Sequence, residues 1–125
     1  MRKATFYLVI LVILVFCVSC KNQESVSAKD AIKYLNNENV LFLDVRTPHE
    51  FNIDGSIKNA LLIPVNQLEK KLTMLEYYKD KKIIVYCKTG RRSKLAGAFL
   101  KKNNFKVAAM EGGFLEWEKH YSSYK

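Results

Sequence analysis

The sequence predicts an α/β fold built on a parallel sheet, and three observations carry this prediction. Residues 40–45 form a nearly continuous apolar run, which is typical of a strand covered on both faces. A segment with helical periodicity precedes that run. A second apolar run, residues 83–86, leads through a short glycine loop into another helical pattern. Helices that alternate with buried strands indicate the α/β class.

The first predicted elements follow from caps and turn residues. Ser27 suits the cap of a helix over residues 28–36, because Asp30 follows it at capping distance and the apolar residues share one face. After the strand at residues 40–45, Pro48 favours the first turn of a short helix, with Thr47 as its cap. A short strand is then expected over residues 60–63, closed by a proline.

The second half repeats the alternation. Leucines 68, 72 and 75 stand at helical spacing, and residues 77–82 form a charged loop before the strand that ends at Tyr86. The next helix ends at two asparagines, and residues 105–109 are a further predicted strand. Gly112 and Gly113 indicate a loop with unusual backbone angles before a final helix, in which Trp117 is a core anchor.

The composition restricts the class of partner. The chain has 125 residues, enough for one domain, and its 21 Lys and Arg against 12 Asp and Glu give a net charge of +9. Such a surplus suits nucleic acid, an anionic membrane surface or small anions. The basic residues are scattered and are not interleaved with aromatic residues, so we expect no nucleic-acid partner.

Residues 1–20 are predicted to be an export signal that lies outside the fold. Arg2 and Lys3 precede an apolar run over residues 6–18, which is short for a bilayer span. Ser19-Cys20 resembles the end of a bacterial lipobox, so we expect Cys20 to carry lipid. An uncleaved anchor and plain secretion are the alternatives. All three predict a domain over residues 26–125, after a linker at 21–25, on the periplasmic or extracellular side of a bacterial membrane.

Cys87 is the candidate nucleophile. If Cys17 leaves with the signal and Cys20 is acylated, Cys87 is the only thiol of the mature chain. It stands where a strand passes into a helix, and a helix N-terminus and nearby cations both lower a thiol pKa. Gly90 lets backbone N–H groups converge on one point. The residues expected to hold an anionic substrate are Lys88, Thr89, Gly90, Arg91 and Arg92.

Three charged residues near the end of the first buried strand receive a structural interpretation. Asp44 and Arg46 flank the strand end, and Glu50 lies one turn further along. Charges placed in this way form either a site or a structural pair. We favour a structural pair, because such charges usually pair when they are partly buried and geometry allows Arg46 to reach Glu50. His49 and His120 have no partners at metal-ligand spacing, so no metal site and no cofactor are predicted.

Motifs along residues 26–120 resemble, in order, the signature blocks of the rhodanese family. They are Leu43-Asp44-Val45-Arg46, Glu50-Phe51, Gly55-Ser56-Ile57, Ala60, Ile63-Pro64, Tyr86-Cys87 with Gly90 and Arg92, and Glu111-Gly112-Gly113-Phe114 with Trp117. Ser56 departs from the pattern, which often has histidine there. The resemblance implies an open five-stranded parallel sheet with helices on both faces. It also implies a sulfurtransferase in which Cys87 takes the outer sulfur of thiosulfate or a similar donor and passes it to a thiol or cyanide.

Two other functions remain open. Phosphatases and arsenate reductases of related architecture place a cysteine in a loop of the form C-x5-R, whereas here the arginine comes one place earlier, at Arg92, and Ser93 follows. The shorter ring suits a sulfur atom better than a phosphate. A binding module without activity is the third hypothesis, and the presence of Cys87 argues against it.

Overall fold

The computed structural model describes residues 2–3 and 23–124. The strands are β1 Ser25–Ser27, β2 Val40–Asp44, β3 Leu61–Leu62, β4 Lys82–Tyr86 and β5 Val107–Glu111. The α-helices are α1 Ala28–Ala31, α2 Pro48–Ile53, α3 Leu72–Leu75, α4 Arg91–Lys102 and α5 Gly113–Tyr124. Short 3₁₀ turns occupy Ile32–Tyr34, Val65–Gln67 and Glu76–Tyr78. The described strands form one parallel sheet in the order β1-β5-β4-β2-β3, which puts β4 in the middle.

Both faces of the sheet are covered, as predicted. Neighbouring residues of β2 point to opposite sides because side chains alternate along a strand: Leu41 and Leu43 belong to one core and Phe42 to the other. The first core is completed by α3 and α4, and the second by α1 and α5. Trp117 is 4% exposed in the second core, which confirms its predicted place.

The register of the central strands brings the candidate residues to one edge. Asp44 at the end of β2 lies opposite Tyr86 at the end of β4. The backbone N–H of Val45 donates to the carbonyl of Tyr86 at 3.0 Å, so the pairing continues to the point where both strands end. Arg46 and Cys87 therefore leave the sheet side by side, at the carboxyl edge where α/β proteins bind ligands.

Several element bounds differ from the prediction. The helix expected over residues 28–36 is an α-helix only to Ala31 and continues as a 3₁₀ turn, although Ser27 caps it as expected by accepting from the N–H of Asp30. The strand β1 was not predicted, because Ser25–Ser27 has a single apolar residue and gains its pairing from β5. It begins within the tract interpreted as a linker.

The predicted leader lies outside the described residues. The export signal and the acylation of Cys20 therefore stay predictions. Among residues 2–3 and 23–124, no helix is long and apolar enough to cross a membrane.

Candidate active site

The loop from Cys87 to Gly90 joins the middle strand to a long helix. Tyr86 is the last residue of β4, and Gly90 is the N-cap of α4 with a φ of 108°. That angle belongs to the left-handed region, where only glycine is free of steric cost. The turn points the backbone N–H of Gly90 back at the Sγ of Cys87, 3.1 Å away.

The Cys87 thiol is buried and surrounded by hydrogen-bonding groups. The residue is 0% exposed. Its Sγ lies 3.6 Å from the Oγ of Ser93, which in turn donates to the carbonyl of Gly90 at 2.9 Å. Burial alone raises the pKa of the thiol. Hydrogen bonds from Ser93 and from the N–H groups of Gly90 and Thr89 outweigh burial, so the Cys87 pKa is lowered.

A second glycine-containing loop, at Gly112 and Gly113, leads into α5, whose first residues form hydrogen bonds with the cysteine loop. Gly112 and Gly113 have φ angles of 77° and 63°, which confirms the unusual backbone predicted there. The N–H of Phe114 donates to the carbonyl of Cys87 at 2.8 Å, and the N–H of Leu115 donates to the carbonyl of Lys88 at 3.2 Å. The first free N–H groups of α5 thus hold the loop that carries the cysteine.

Arg92 pairs with Glu50 across the site. Its Nη1 donates to Oε2 at 2.8 Å and its Nη2 donates to Oε1 at 2.7 Å. The carboxylate also accepts from the N–H of Thr47 at 2.9 Å, in a capping box at the start of α2. The hydrogen bonds from Arg92, followed by those from Thr47, lower the Glu50 pKa to about 2. Glu50 is therefore ionised at neutral pH.

Arg46 pairs with Asp44 and not with Glu50, the partner that we expected, so that prediction is wrong. Arg46 and Asp44 form a fully buried ion pair, with Nη2 2.6 Å from Oδ2. The same nitrogen donates to the carbonyl of Gly55 at 2.7 Å, and the guanidinium lies 4.3 Å from the Phe114 ring centroid. Burial favours Asp44, which the strand end already places beside Arg46, while Glu50 turns toward Arg92. Arg46 thus pairs with Asp44 and Glu50 with Arg92, while the structural role expected of the three residues stays a prediction.

The remaining predicted residues lie on the outside of the loop. Lys88, Thr89 and Arg91 are exposed, while Gly90 and Arg92 are partly buried. Ser93 was not predicted as a site residue. Its position in the first turn of a helix that follows the cysteine loop could have indicated it, because that turn faces the loop. Among the described residues, no cluster of His, Cys, Asp or Glu could hold a metal ion.

Comparison with known proteins agrees with this geometry. A family model described as a rhodanese-like domain matches residues 27–120. The chain belongs to the rhodanese-like family. A rhodanese-related protein from Thermoplasma volcanium is 36% identical, with a TM-score of 0.70 over 77% of this chain and 91% of that one. A protein of unknown function and possible tyrosine phosphatase from Rhodopseudomonas palustris is 30% identical, with a TM-score of 0.71 over 77% of this chain and 80% of its own.

Curated relatives place the rhodanese-like domain inside a longer protein. The tRNA uridine(34) hydroxylase of Cronobacter sakazakii is 38% identical over 99 residues, which are 75% of this chain. This chain spans 28% of the length of that relative. The similarity therefore concerns the rhodanese-like domain.

Proposed function

We propose that this protein is a sulfurtransferase that moves a sulfane sulfur from thiosulfate or a similar donor to a thiol or to cyanide. The single observation that carries the proposal is the buried Cys87 thiol, which lies 3.1 Å from the N–H of Gly90. Donors aimed at one sulfur atom stabilise negative charge on it, both in the free thiolate and in a persulfide.

The first step is attack by the Cys87 thiolate on the outer sulfur of the donor. A new S–S bond forms, the S–S bond of the donor breaks, and its electron pair leaves on sulfite. A persulfide remains on Cys87. The exposed cations Lys88 and Arg91 attract the anionic donor to the loop.

The second step returns the enzyme to its free form. An acceptor thiolate or cyanide attacks the terminal sulfur of the persulfide, and the electron pair of the broken bond returns to Cys87. Neither step uses a cofactor. Because the acceptor enters after sulfite has left, the kinetics are ping-pong.

A phosphatase-like reaction is the second candidate, since one structural neighbour is described as a possible tyrosine phosphatase. The loop here has four residues between Cys87 and Arg92. Moreover, both terminal nitrogens of Arg92 bind Glu50. A bidentate grip on a phosphoryl group by this arginine would require the pair to open, so sulfur transfer is favoured. The tRNA hydroxylation named for the curated relatives belongs to longer proteins, of which this chain covers 28%.

We further propose that the domain is exported and attached to the membrane through Cys20, which the lipobox-like sequence supports. Metabolic labelling with a radioactive fatty acid, in cells that express the chain or its Cys20→Ala variant, tests this. Label on the parent chain alone is expected. Equal label on both would contradict acylation at Cys20.

Steady-state kinetics test the proposed reaction. With thiosulfate and cyanide varied together, we expect parallel double-reciprocal lines and thiocyanate as product. Cys87→Ser is expected to abolish turnover while the protein stays folded. Hydrolysis of para-nitrophenyl phosphate by the same preparation, without any thiocyanate, would overturn the proposal in favour of the phosphatase candidate. Absence of both activities would favour the binding module.

A further inference from the structure

Arg92 lies in the first turn of α4, directly after the cysteine loop, and its two terminal nitrogens already bind Glu50. The two terminal nitrogens each donate to one oxygen of Glu50, at 2.8 and 2.7 Å. This parallel arrangement is the one in which arginine also binds sulfonyl and phosphoryl oxygens. A donor could take this end-on fork only by displacing the carboxylate, although the other N–H groups of the guanidinium stay available to it.

Several contacts make that displacement unfavourable. The Oε2 of Glu50 accepts from the N–H and from the hydroxyl of Thr47, at 2.9 and 3.0 Å. The Glu50 side chain is only 16% exposed, and that of Arg92 is 32% exposed. Hydrogen bonds of charged groups in partly buried positions are the strong ones. The carboxylate is therefore a fixed negative charge of the resting site.

The pair lies within electrostatic reach of the reacting sulfur. The Arg92 pKa is raised mainly by its hydrogen bond to Glu50, and also by the charge of the Cys87 thiolate and a hydrogen bond to it. A donor whose outer sulfur meets Cys87 therefore has its charged oxygens near Arg92, whose terminal nitrogens lie 2.8 and 2.7 Å from the Glu50 carboxylate. Two charges on the donor are repelled by that carboxylate more than one charge is.

We propose that Glu50 is a specificity-determining residue that occupies the end-on fork of Arg92 and offsets its charge, and so favours sulfane donors with one negative charge over doubly charged oxyanions. The inference rests on the proposed sulfurtransferase function and names the class of donor within it. Removing the charge while keeping the size of the side chain releases one nitrogen of Arg92 and lifts the repulsion.

Two donors that differ mainly in charge make the test sharp. Thiosulfate is a dianion and methanethiosulfonate is a monoanion, and each carries its outer sulfur on a sulfonyl group. Attack by Cys87 leaves the same persulfide in both cases, and the electron pair departs on sulfite or on methanesulfinate. kcat and KM are measured for both donors with the full chain, its Glu50→Gln variant and the matched control Asp54→Asn, which makes the same charge change at the end of the same helix.

We expect Glu50→Gln to raise kcat/KM for thiosulfate relative to methanethiosulfonate by about tenfold, mainly through KM, because a unit charge a few ångströms away has an effect of that order. Asp54→Asn is expected to leave the ratio within about twofold. In an Arg92→Met background the same Glu50→Gln change should give a smaller gain, since it then lifts the repulsion but frees no guanidinium.

An unchanged ratio in folded Glu50→Gln, or an equal change in Asp54→Asn, would overturn the inference while leaving the sulfurtransferase function intact. A second readout does not need sulfur transfer. Inorganic sulfate should protect Cys87 from iodoacetamide at lower concentration in Glu50→Gln than in the parent chain, and equal protection would also overturn the inference. Failure of both donors to load the parent chain would instead contradict the proposed function.

Discussion

The reactivity of Cys87 depends on two opposed effects at a single sulfur atom. Burial disfavours the thiolate, whereas the Ser93 hydroxyl and the loop N–H groups stabilise it. The hydroxyl can turn from the Gly90 carbonyl toward the sulfur once the thiol has lost its proton, because its hydrogen rotates freely. The balance makes Ser93 part of the site even though it does not react.

Replacement of Ser93 by alanine should raise the Cys87 pKa. A thiolate forms when the pH exceeds the thiol pKa, so a higher pKa leaves less of the reactive form at pH 7. We expect alkylation by iodoacetamide at pH 7 to slow by at least about tenfold, because a hydrogen bond to a charged group contributes about 1.5–3 kcal/mol. Rates measured between pH 5 and 10 check this.

The control for this prediction is Ser122→Ala, which removes an exposed hydroxyl bonded to the carbonyl of Lys119. Its pH profile should match that of the parent chain. A Ser93→Ala profile that coincides with both would contradict the role of the hydroxyl.

The residue types of the site were predictable from the sequence, but their pairings were not. The sequence places Cys87, Gly90 and the neighbouring cations next to one another, so their chemical roles could be predicted from it. Arg92 pairs with Glu50, which lies 42 positions away in the chain. Arg46 pairs with the buried Asp44 and not with Glu50. Such choices depend on how distant segments pack.

At the scale of elements, the site is a contact between two backbone loops. A Cβ atom added to Gly113 would collide with the carbonyl of Lys88 and lie 2.6 Å from the N of Thr89. The glycine is therefore required by its φ of 63° and also by the closeness of the cysteine loop. The start of α5 can hold that loop only because no side chain intervenes.

Gly113→Ala is expected to lower the free energy of unfolding by about 2–4 kcal/mol and to displace the cysteine loop. The matched control is Gly55→Ala, which has a φ of 87° but only the tip of the Phe114 ring at 3.8 Å. Its free energy of unfolding should fall only by the cost of a positive φ for alanine, about 1–2 kcal/mol. Urea unfolding of both variants measures the difference, and equal losses would contradict a specific loop contact.

The elements with strong patterns were the ones that the sequence predicted well. β2 and β4 are long apolar runs, and α2 carries a complete capping box, so local chemistry determined all three. β1 has three residues, and the predicted strand at 60–63 shrinks to Leu61–Leu62. Short edge strands form because they pair with a neighbouring strand, so the local sequence pattern does not predict them.

At the scale of the whole molecule, the Glu50–Arg92 pair joins α2 to the helix that follows the cysteine. The folded chain holds the Glu50 pKa at about 2, against an ordinary value of 4.5. A group whose pKa is depressed on folding contributes stability above its unfolded pKa and loses that contribution as the pH falls toward its folded pKa. The contribution is complete above about pH 4.5 and fades between there and pH 2.

This linkage predicts a pH-dependent difference between the parent chain and Glu50→Gln. We expect the parent to be more stable by about 1–3 kcal/mol at pH 7, after allowance for partial exposure, and the difference to vanish near pH 2. Urea unfolding at pH 7, 5 and 3 measures it. Parallel pH profiles for the two proteins would contradict the linkage, and coincident profiles would show that the pair adds no stability.

The fold class was predictable over residues 27–120, because buried parallel strands and the family's signature motifs are both recognisable in the sequence. The sheet order explains why the site lies where it does, since β4 is central and its carboxyl end is flanked by β2 and β5. The class of donor is the part that we propose to depend on the charges around Arg92.

The proposed sulfur transfer requires a persulfide on Cys87, and the intact mass of the protein detects this intermediate directly. The full chain and its Cys87→Ser variant are incubated with thiosulfate, freed of excess donor and weighed, and the modified residue is located by fragmentation, since Cys17 and Cys20 are also present. We predict a gain of one sulfur, about 32 Da, on Cys87 of the parent chain and none on the variant. A folded parent chain with a free Cys87 thiol and no added sulfur, or a gain that persists in the variant, would contradict the account.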